Sequence, residues 1–206
     1  MKTIFAAAST LALSLSAAQA GTVTSTFDTD GEGFTLSGGA LSFAATGGNP
    51  GGHIRATDTV STFMQLTLPS KFTAAPLLEG GTISFDAREF GSGPSVSGFG
   101  TITLSDGTNT ATRDPFGSTL PAGVWTSISA DLDAGDWSLS GGTFETILAN
   151  ISSISIQVES INGFDEVVGI DNVSVDTVSP VPLPMTAPLL IAGVLGLGYA
   201  TRRGRR

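Results

Sequence analysis

The 206-residue chain has no cysteine and a single histidine, His53. Without cysteine there is no disulfide scaffold, no thiol nucleophile and no thiolate zinc site, and one imidazole excludes a clustered-histidine metal centre. Basic residues are also scarce, nine Lys and Arg against 18 Asp and Glu. Lys2 stands near the start, and Arg202, Arg203, Arg205 and Arg206 crowd the end. Only Arg55, Lys71, Arg88 and Arg113 are left to face all the acids. That balance argues against a nucleic-acid partner, because phosphate contacts need clustered Lys and Arg. No Gly-x-Ser-x-Gly elbow is present, so the common α/β-hydrolase arrangement is absent. Carboxylate pairs such as Asp86 with Glu89, or Asp165 with Glu166, are available for glycoside hydrolysis, but so many acids always supply a pair. The chain therefore reads as non-enzymatic.

The two ends carry address signals. Lys2 is a basic start, residues 4–17 are mostly apolar, and Ala18-Gln19-Ala20 is a small-x-small cleavage site, so residues 1–20 are expected to be a signal peptide removed by signal peptidase. At the other end, Val181-Pro182-Leu183-Pro184 precedes an apolar run and then the stop formed by Arg202, Arg203, Arg205 and Arg206. The stretch from Pro184 to Thr201 is about 18 residues, or roughly 27 Å as a helix, just enough for a bilayer core. The arginines would hold its end in the cytoplasm and leave the acidic domain outside.

Between the signals lies one domain, residues 21–179, long enough to bury roughly 70% of the surface of its unfolded chain. Short alternating apolar runs separated by Gly, Pro, Asn and Asp recur through it, and helix-period stripes are nearly absent. The fold class is therefore all-β, an antiparallel jelly-roll sandwich. Strands are expected at 22–27, 34–36, 40–45, 53–56, 63–68, 82–88, 99–104, 110–113, 125–131, 153–159 and 167–175. Ile83, Phe85 and Ala87 should share the core face, as should Ile154, Ile156 and Val158. Val173 and Val175 should point inward with Asp171 on the same parity, which is costly for a carboxylate without a partner. One short helix is expected at 143–150, with Thr143 as N-cap. Trp125 and Trp137 read as core or rim packing ahead of sugar platforms.

Two stretches offer polar chemistry. Asp28-Thr29-Asp30-Gly31-Glu32-Gly33 places hard oxygens on a turn, and Asp28 or Asp30 with Asp171 are the candidate ligands of one structural Ca²⁺. The alternative is ordinary turn residues and a hydrogen-bonded Asp171, with no cofactor. Gly47 to Gly52 first of all makes a defined turn. Its sharper reading is a ligand loop in which Asn49, His53, Arg55 and Asp58 offer donors and acceptors to sugar hydroxyls.

These pieces occur in an order that resembles the laminin IV (laminin B) module. The resemblance rests on Phe27-Asp28, Glu32-Gly33-Phe34, Gly47 to Gly52, Asp58, Phe72, Phe85-Asp86, Trp125, Trp137, Leu148-Ala149 and Asp171-Asn172-Val173, and covers about 28–175. His53 stands where that family usually has an aromatic, and the Leu-Gly expected after Phe72 is missing. The resemblance implies a galactose-binding-like β-sandwich, a shape used for carbohydrate binding and adhesion. The tail is similar to the VPLPA variant of bacterial PEP-CTERM sorting signals, with Met185 in place of the usual Ala, and that likeness implies processing by an exosortase near Pro184.

The expectation is an exported, exosortase-sorted surface or extracellular-matrix protein, transiently held in the membrane by its C-terminal helix. Its sandwich would bind extracellular polysaccharide or envelope proteins. A secreted glycan hydrolase or lyase and a structural adhesin with protein partners are the alternatives.

Overall fold

The computed structural model describes residues 19–91, 98–117, 119–161 and 166–179. The expected sorting signal and nearly all of the expected signal peptide lie outside the described residues. A compact unit spans Ala20–Ser179. Its strands are β1 (Gln19–Ser25), β2 (Thr35–Ser37), β3 (Gly39–Ala44), β4 (His53–Asp58), β5 (Gln65–Thr67), β6 (Thr82–Glu89), β7 (Ile102–Ser105), β8 (Thr110–Arg113), β9 (Thr126–Asp131), β10 (Ser138–Ser140), β11 (Ser153–Gln157) and β12 (Val167–Ser179). They form two six-stranded sheets, one in the order β3-β4-β12-β6-β9 with β1 paired to β12, the other β10-β8-β7-β11-β5-β2. All the ladders with a defined register are antiparallel. The all-β sandwich with one short helix is thus the observed fold.

Period-two alternation decides which side chains meet between the sheets. Ile83, Phe85 and Ala87 of β6 and Ile154 and Ile156 of β11 are buried, and Val158 just beyond β11 is buried with them. Each of the buried Ile, Phe and Val side chains contributes about 1.5–3 kcal/mol of burial free energy. Phe27, Phe34 and Phe72 close one part of the core edge to face, with centroids at 5.1 and 5.8 Å.

The one α-helix among the described residues, α1 (Phe144–Ala149), starts where the sequence marks it, with the Thr143 Oγ1 accepting the Thr146 N–H. Its Phe144, Ile147 and Leu148 are buried, and Trp137 packs on Phe144 at 5.5 Å. Trp137 is 6% exposed and its indole N–H donates to the Asp131 carbonyl, so it is a core residue, as expected.

The structure differs from the sequence expectation at several places. Strand β10 was not expected, because all three of its residues are exposed and no buried parity announces it. Strand β1 stops at Ser25, since Phe27 adopts φ +50° and leaves the extended conformation. Strand β12 runs beyond 175 because it pairs with β1, an association fixed by Thr22 Oγ1 donating to Asp176 at 2.7 Å. The largest correction concerns Asp171. A register shift lies between Asp171 and Ser174, with Asn172 at φ +49°, so Ile170 and Val173 both face the core. The bulge flips Asp171 away from the parity of Val173 and Val175 and sets it opposite Asp86 on the outer face of the sheet. Among the described residues no helix is long and apolar enough to cross a membrane.

Candidate functional site

Three motifs that are far apart in sequence meet on the outer face of the first sheet. The loop 47–52 folds over Asp171, whose Oδ2 accepts the Asn49 N–H at 2.6 Å while its Oδ1 accepts the Asn172 N–H at 2.7 Å. Asp86 accepts the Asn49 side-chain amide at 3.0 Å, the Asn172 amide at 2.7 Å and the Ser127 hydroxyl at 2.5 Å. The Asn172 amide also donates to the Asn49 carbonyl. These bonds explain why a carboxylate with no exposed surface is tolerated here. Burial still raises the Asp171 pKa against the lowering effect of its two N–H donors, and the nearby charges of Asp86 and Asp28 raise it further. Two glycines of the loop admit no side chain: a Cβ on Gly48 would stand 2.1 Å from the Gly52 carbonyl oxygen, and one on Gly52 2.2 Å from that of Phe27.

The turn after β1 is held by Glu32. Its Oε1 accepts the N–H groups of Thr26 at 3.1 Å and Phe27 at 2.8 Å, and its Oε2 pairs with the Lys71 ammonium. Burial works against ionisation of this carboxyl, but the Lys71 and Phe27 hydrogen bonds prevail and hold its pKa below the usual range.

Beside the loop, a glycine makes room for aromatic rings. Gly169 of β12 lies opposite both Arg55 of β4 and Arg88 of β6. A Cβ at Gly169 would lie 2.8 Å from the Phe90 ring, 2.9 Å from Trp125 and 3.0 Å from His53, so the three rings converge over this bare stretch of strand. His53 stacks on Phe90 at 5.7 Å and meets Trp125 edge-on at 5.5 Å. The Trp125 indole N–H donates to the Gly47 carbonyl at 3.1 Å, tying the cleft to the glycine loop. The guanidiniums of Arg55 and Arg88 lie 4.9 and 4.7 Å from the Phe90 centroid. His53 is 3% exposed, and neither ring nitrogen has a hydrogen-bond partner among the described residues. Burial, then the positive charges of Arg55 and Arg88, push its pKa below the ordinary histidine value. Phe90 is 37% exposed, so the cleft presents an aromatic surface flanked by two cations.

The sandwich is similar to carbohydrate-binding modules and a laminin domain. The C-terminal family 22 carbohydrate binding module of Clostridium thermocellum Xyn10B matches with a TM-score of 0.51 at 13% identity, over 78% of this chain and 96% of the module. The L4b domain of human laminin alpha-2 matches at 0.50 and 14% identity, over 62% of this chain and 80% of the domain. An exo-beta-agarase matches at 0.52 and 18% identity, over 74% of this chain but only 24% of the agarase. At these identities the likeness is one of fold. No protein-family model and no curated protein sequence matches the chain.

Of the four residues expected to contact a ligand, His53 and Arg55 belong to the aromatic cleft. Asn49 is absorbed in the network around Asp171 and Asp86. Asp58 lies at the far end of β4 and is 5% exposed, with Glu159, Glu166 and Glu89 also buried. Arg88, Phe90 and Trp125 were not singled out as ligand residues, and the sequence signal that joins them is Gly169, a small residue within an otherwise bulky strand.

The calcium reading pairs Asp28 or Asp30 with Asp171, and the two alternatives are placed differently. Asp28 lies near enough to Asp171 to raise its pKa. Asp30 accepts the Glu32 N–H at 2.7 Å and lines a separate groove with Phe34, Leu41 and Phe43. Among the described residues no group of three or more His, Asp or Glu side chains has the spacing of a metal site.

Proposed function

We propose that this is a non-enzymatic exported surface or matrix protein whose sandwich binds glycan through the cleft of Arg55, Arg88, Phe90 and Trp125, with His53 packed beneath the rings. The observation that carries the reading is the convergence of three rings over Gly169, with Phe90 left partly open to solvent. Sugar rings present apolar C–H faces and hydroxyl acceptors, which aromatic surface and guanidinium donors complement. The fold likeness to carbohydrate-binding modules supports the same reading. The address signals at residues 1–20 and 181–206 supply the rest of it: export, transient membrane anchoring, and processing by an exosortase near Pro184.

The test is affinity electrophoresis of the full chain through gels containing plant and bacterial polysaccharides. Retardation that Phe90→Ala or Trp125→Ala abolishes supports the reading. Mobility unaffected by every polysaccharide removes it and favours the adhesin with protein partners.

The hydrolase alternative gains little from the geometry. Glu89 and Glu166 lie close together, with Glu166 pushed up to about 8 by burial, against a lowering bond from the Ser160 N–H, and by the neighbouring charge of Glu89. They are 1% and 0% exposed, closed to a polymeric substrate. Calcium is carried forward as a secondary proposal in narrower form, with Asp28 and Asp171 as ligands and Asp30 left out.

A further inference from the structure

The charge of the glycan is open on the reading above, and the distribution of cations in the domain bears on it. Two of the four basic residues between the address signals are neutralised locally. Lys71 pairs with Glu32, and Arg113 pairs with Asp136 at 3.1 Å. Arg55 and Arg88 have no carboxylate at ion-pair distance among the described residues, in a chain where acids outnumber bases 18 to 9.

Their placement is specific. Both oppose Gly169 from strands on either side of it, which puts their Cα atoms about two strand spacings, roughly 10 Å, apart. Phe90 lies within reach of both guanidiniums. The buried His53 beneath contributes no negative charge, and the Arg88 Nε is itself buried without a hydrogen-bond partner among the described residues. The cleft thus holds two cations without an ion-pair partner among the described residues, beside Asp86 and Asp171, which lie two residues along β6 and β12 on the same face and are engaged by their own hydrogen-bond donors. A guanidinium offers a planar fork that matches carboxylate and sulfate oxygens two at a time, a match that neutral hydroxyls do not provide.

We propose that the cleft selects anionic glycan, a polymer bearing carboxylate or sulfate groups on its sugar rings, with Arg55 and Arg88 receiving the anionic groups and Phe90 and Trp125 the ring faces. This rests on the reading of the cleft as a glycan site and adds its ligand class. Charges beyond a Debye length of about 8–10 Å are screened from the cleft, and the nearer carboxylates, Asp86 and Asp171, are buried with their oxygens accepting from Asn49, Asn172 and Ser127. The acidic surface elsewhere gives no general affinity for polyanions, so binding depends on these two side chains.

The experiment is calorimetric titration of the full chain with four polymers: polygalacturonate, the same polymer with its carboxyls reduced to alcohols, a sulfated galactan, and neutral xylan. The expected result is binding to polygalacturonate or the sulfated galactan at least about tenfold tighter than to the reduced polymer and xylan. Whichever anionic polymer binds identifies the group. Arg55→Gln and Arg88→Gln should each weaken that binding by on the order of tenfold to a hundredfold. Arg113→Gln, on the opposite sheet, should leave it unchanged. Should Arg88→Gln fail to fold, Arg55→Gln decides alone. Equal affinity for charged and reduced polymer, or binding indifferent to both arginines, overturns the anionic selectivity and leaves the glycan site standing. Binding to none of the four overturns the anionic selectivity, and the electrophoresis described above then decides whether the glycan site itself stands.

Discussion

Asp171 accepts the backbone N–H of Asn49 at 2.6 Å across 122 positions of sequence. The last strand of the sandwich thereby fixes the glycine loop, and through the Trp125–Gly47 bond it also fixes one wall of the aromatic cleft. Asp171→Ala leaves two backbone donors without their acceptor in a buried place, at a cost of about 1–3 kcal/mol each. The expected outcome is a loss of roughly 2–5 kcal/mol in urea denaturation. A loss below about 1 kcal/mol would show that water replaces the carboxylate freely.

The glycines of the loop make a sharper prediction. Gly48→Ala and Gly52→Ala drive a Cβ against backbone carbonyls, which cannot rotate away, so each variant should melt far lower than wild type or fail to fold. Gly135→Ala is the control, because a Cβ there meets nothing within 4 Å and its backbone needs no positive φ. It should melt within a few degrees of wild type. Equal behaviour of the three variants would contradict the loop geometry.

Stability should fall as pH rises through neutrality. Glu166 binds its proton in the folded state up to about pH 8, whereas in the unfolded chain it releases it near the usual glutamate value. Between those two values the folded state holds more protons, so unfolding free energy declines with pH, by on the order of a few kcal/mol, and levels off above the folded pKa. The raised values of Glu159 and Asp171 act in the same direction. His53 acts oppositely: its folded pKa is lowered, so its contribution is lost as pH drops below the ordinary histidine value. Glu32 likewise loses its contribution in acid. Urea melts at pH 5.5, 7 and 9 would measure the slope, and Glu166→Gln should flatten it; a slope unchanged by that variant assigns the effect elsewhere.

Millimolar calcium should raise the melting temperature if Asp28 and Asp171 hold an ion, and a chelator should reverse the rise. Asp30→Asn should keep the calcium response and Asp171→Asn should lose it. A melting temperature indifferent to both calcium and chelator ends the calcium proposal.

The parts of this fold legible in the sequence are those in which side-chain period maps directly onto burial. Ile83, Phe85 and Ala87 alternate with polar residues, and Thr143 caps its helix by a local bond. Asp171 was misplaced because a bulge changes parity by one residue, and the only local sign is Asn172, a residue type that tolerates positive φ. His53 and Arg55 were legible because they follow a recognisable loop. Arg88, Phe90 and Trp125 come from other strands and loops, and they meet only because Gly169 has no side chain. Such a relationship between distant positions has no period or spacing to betray it.

The pairing of β1 with β12 brings the first and last strands of the compact unit together, with Thr22 bonded to Asp176 and Thr177 to the Gly21 carbonyl. A unit whose entry and exit lie side by side is modular. It can be spliced into a surface loop of another protein as a single bead, since the host loop need open by little more than one strand spacing to receive it. For the same reason, a circular permutant that joins the two strands by a short linker and opens the chain at the exposed turn around Gly107 should retain the sandwich and its cleft.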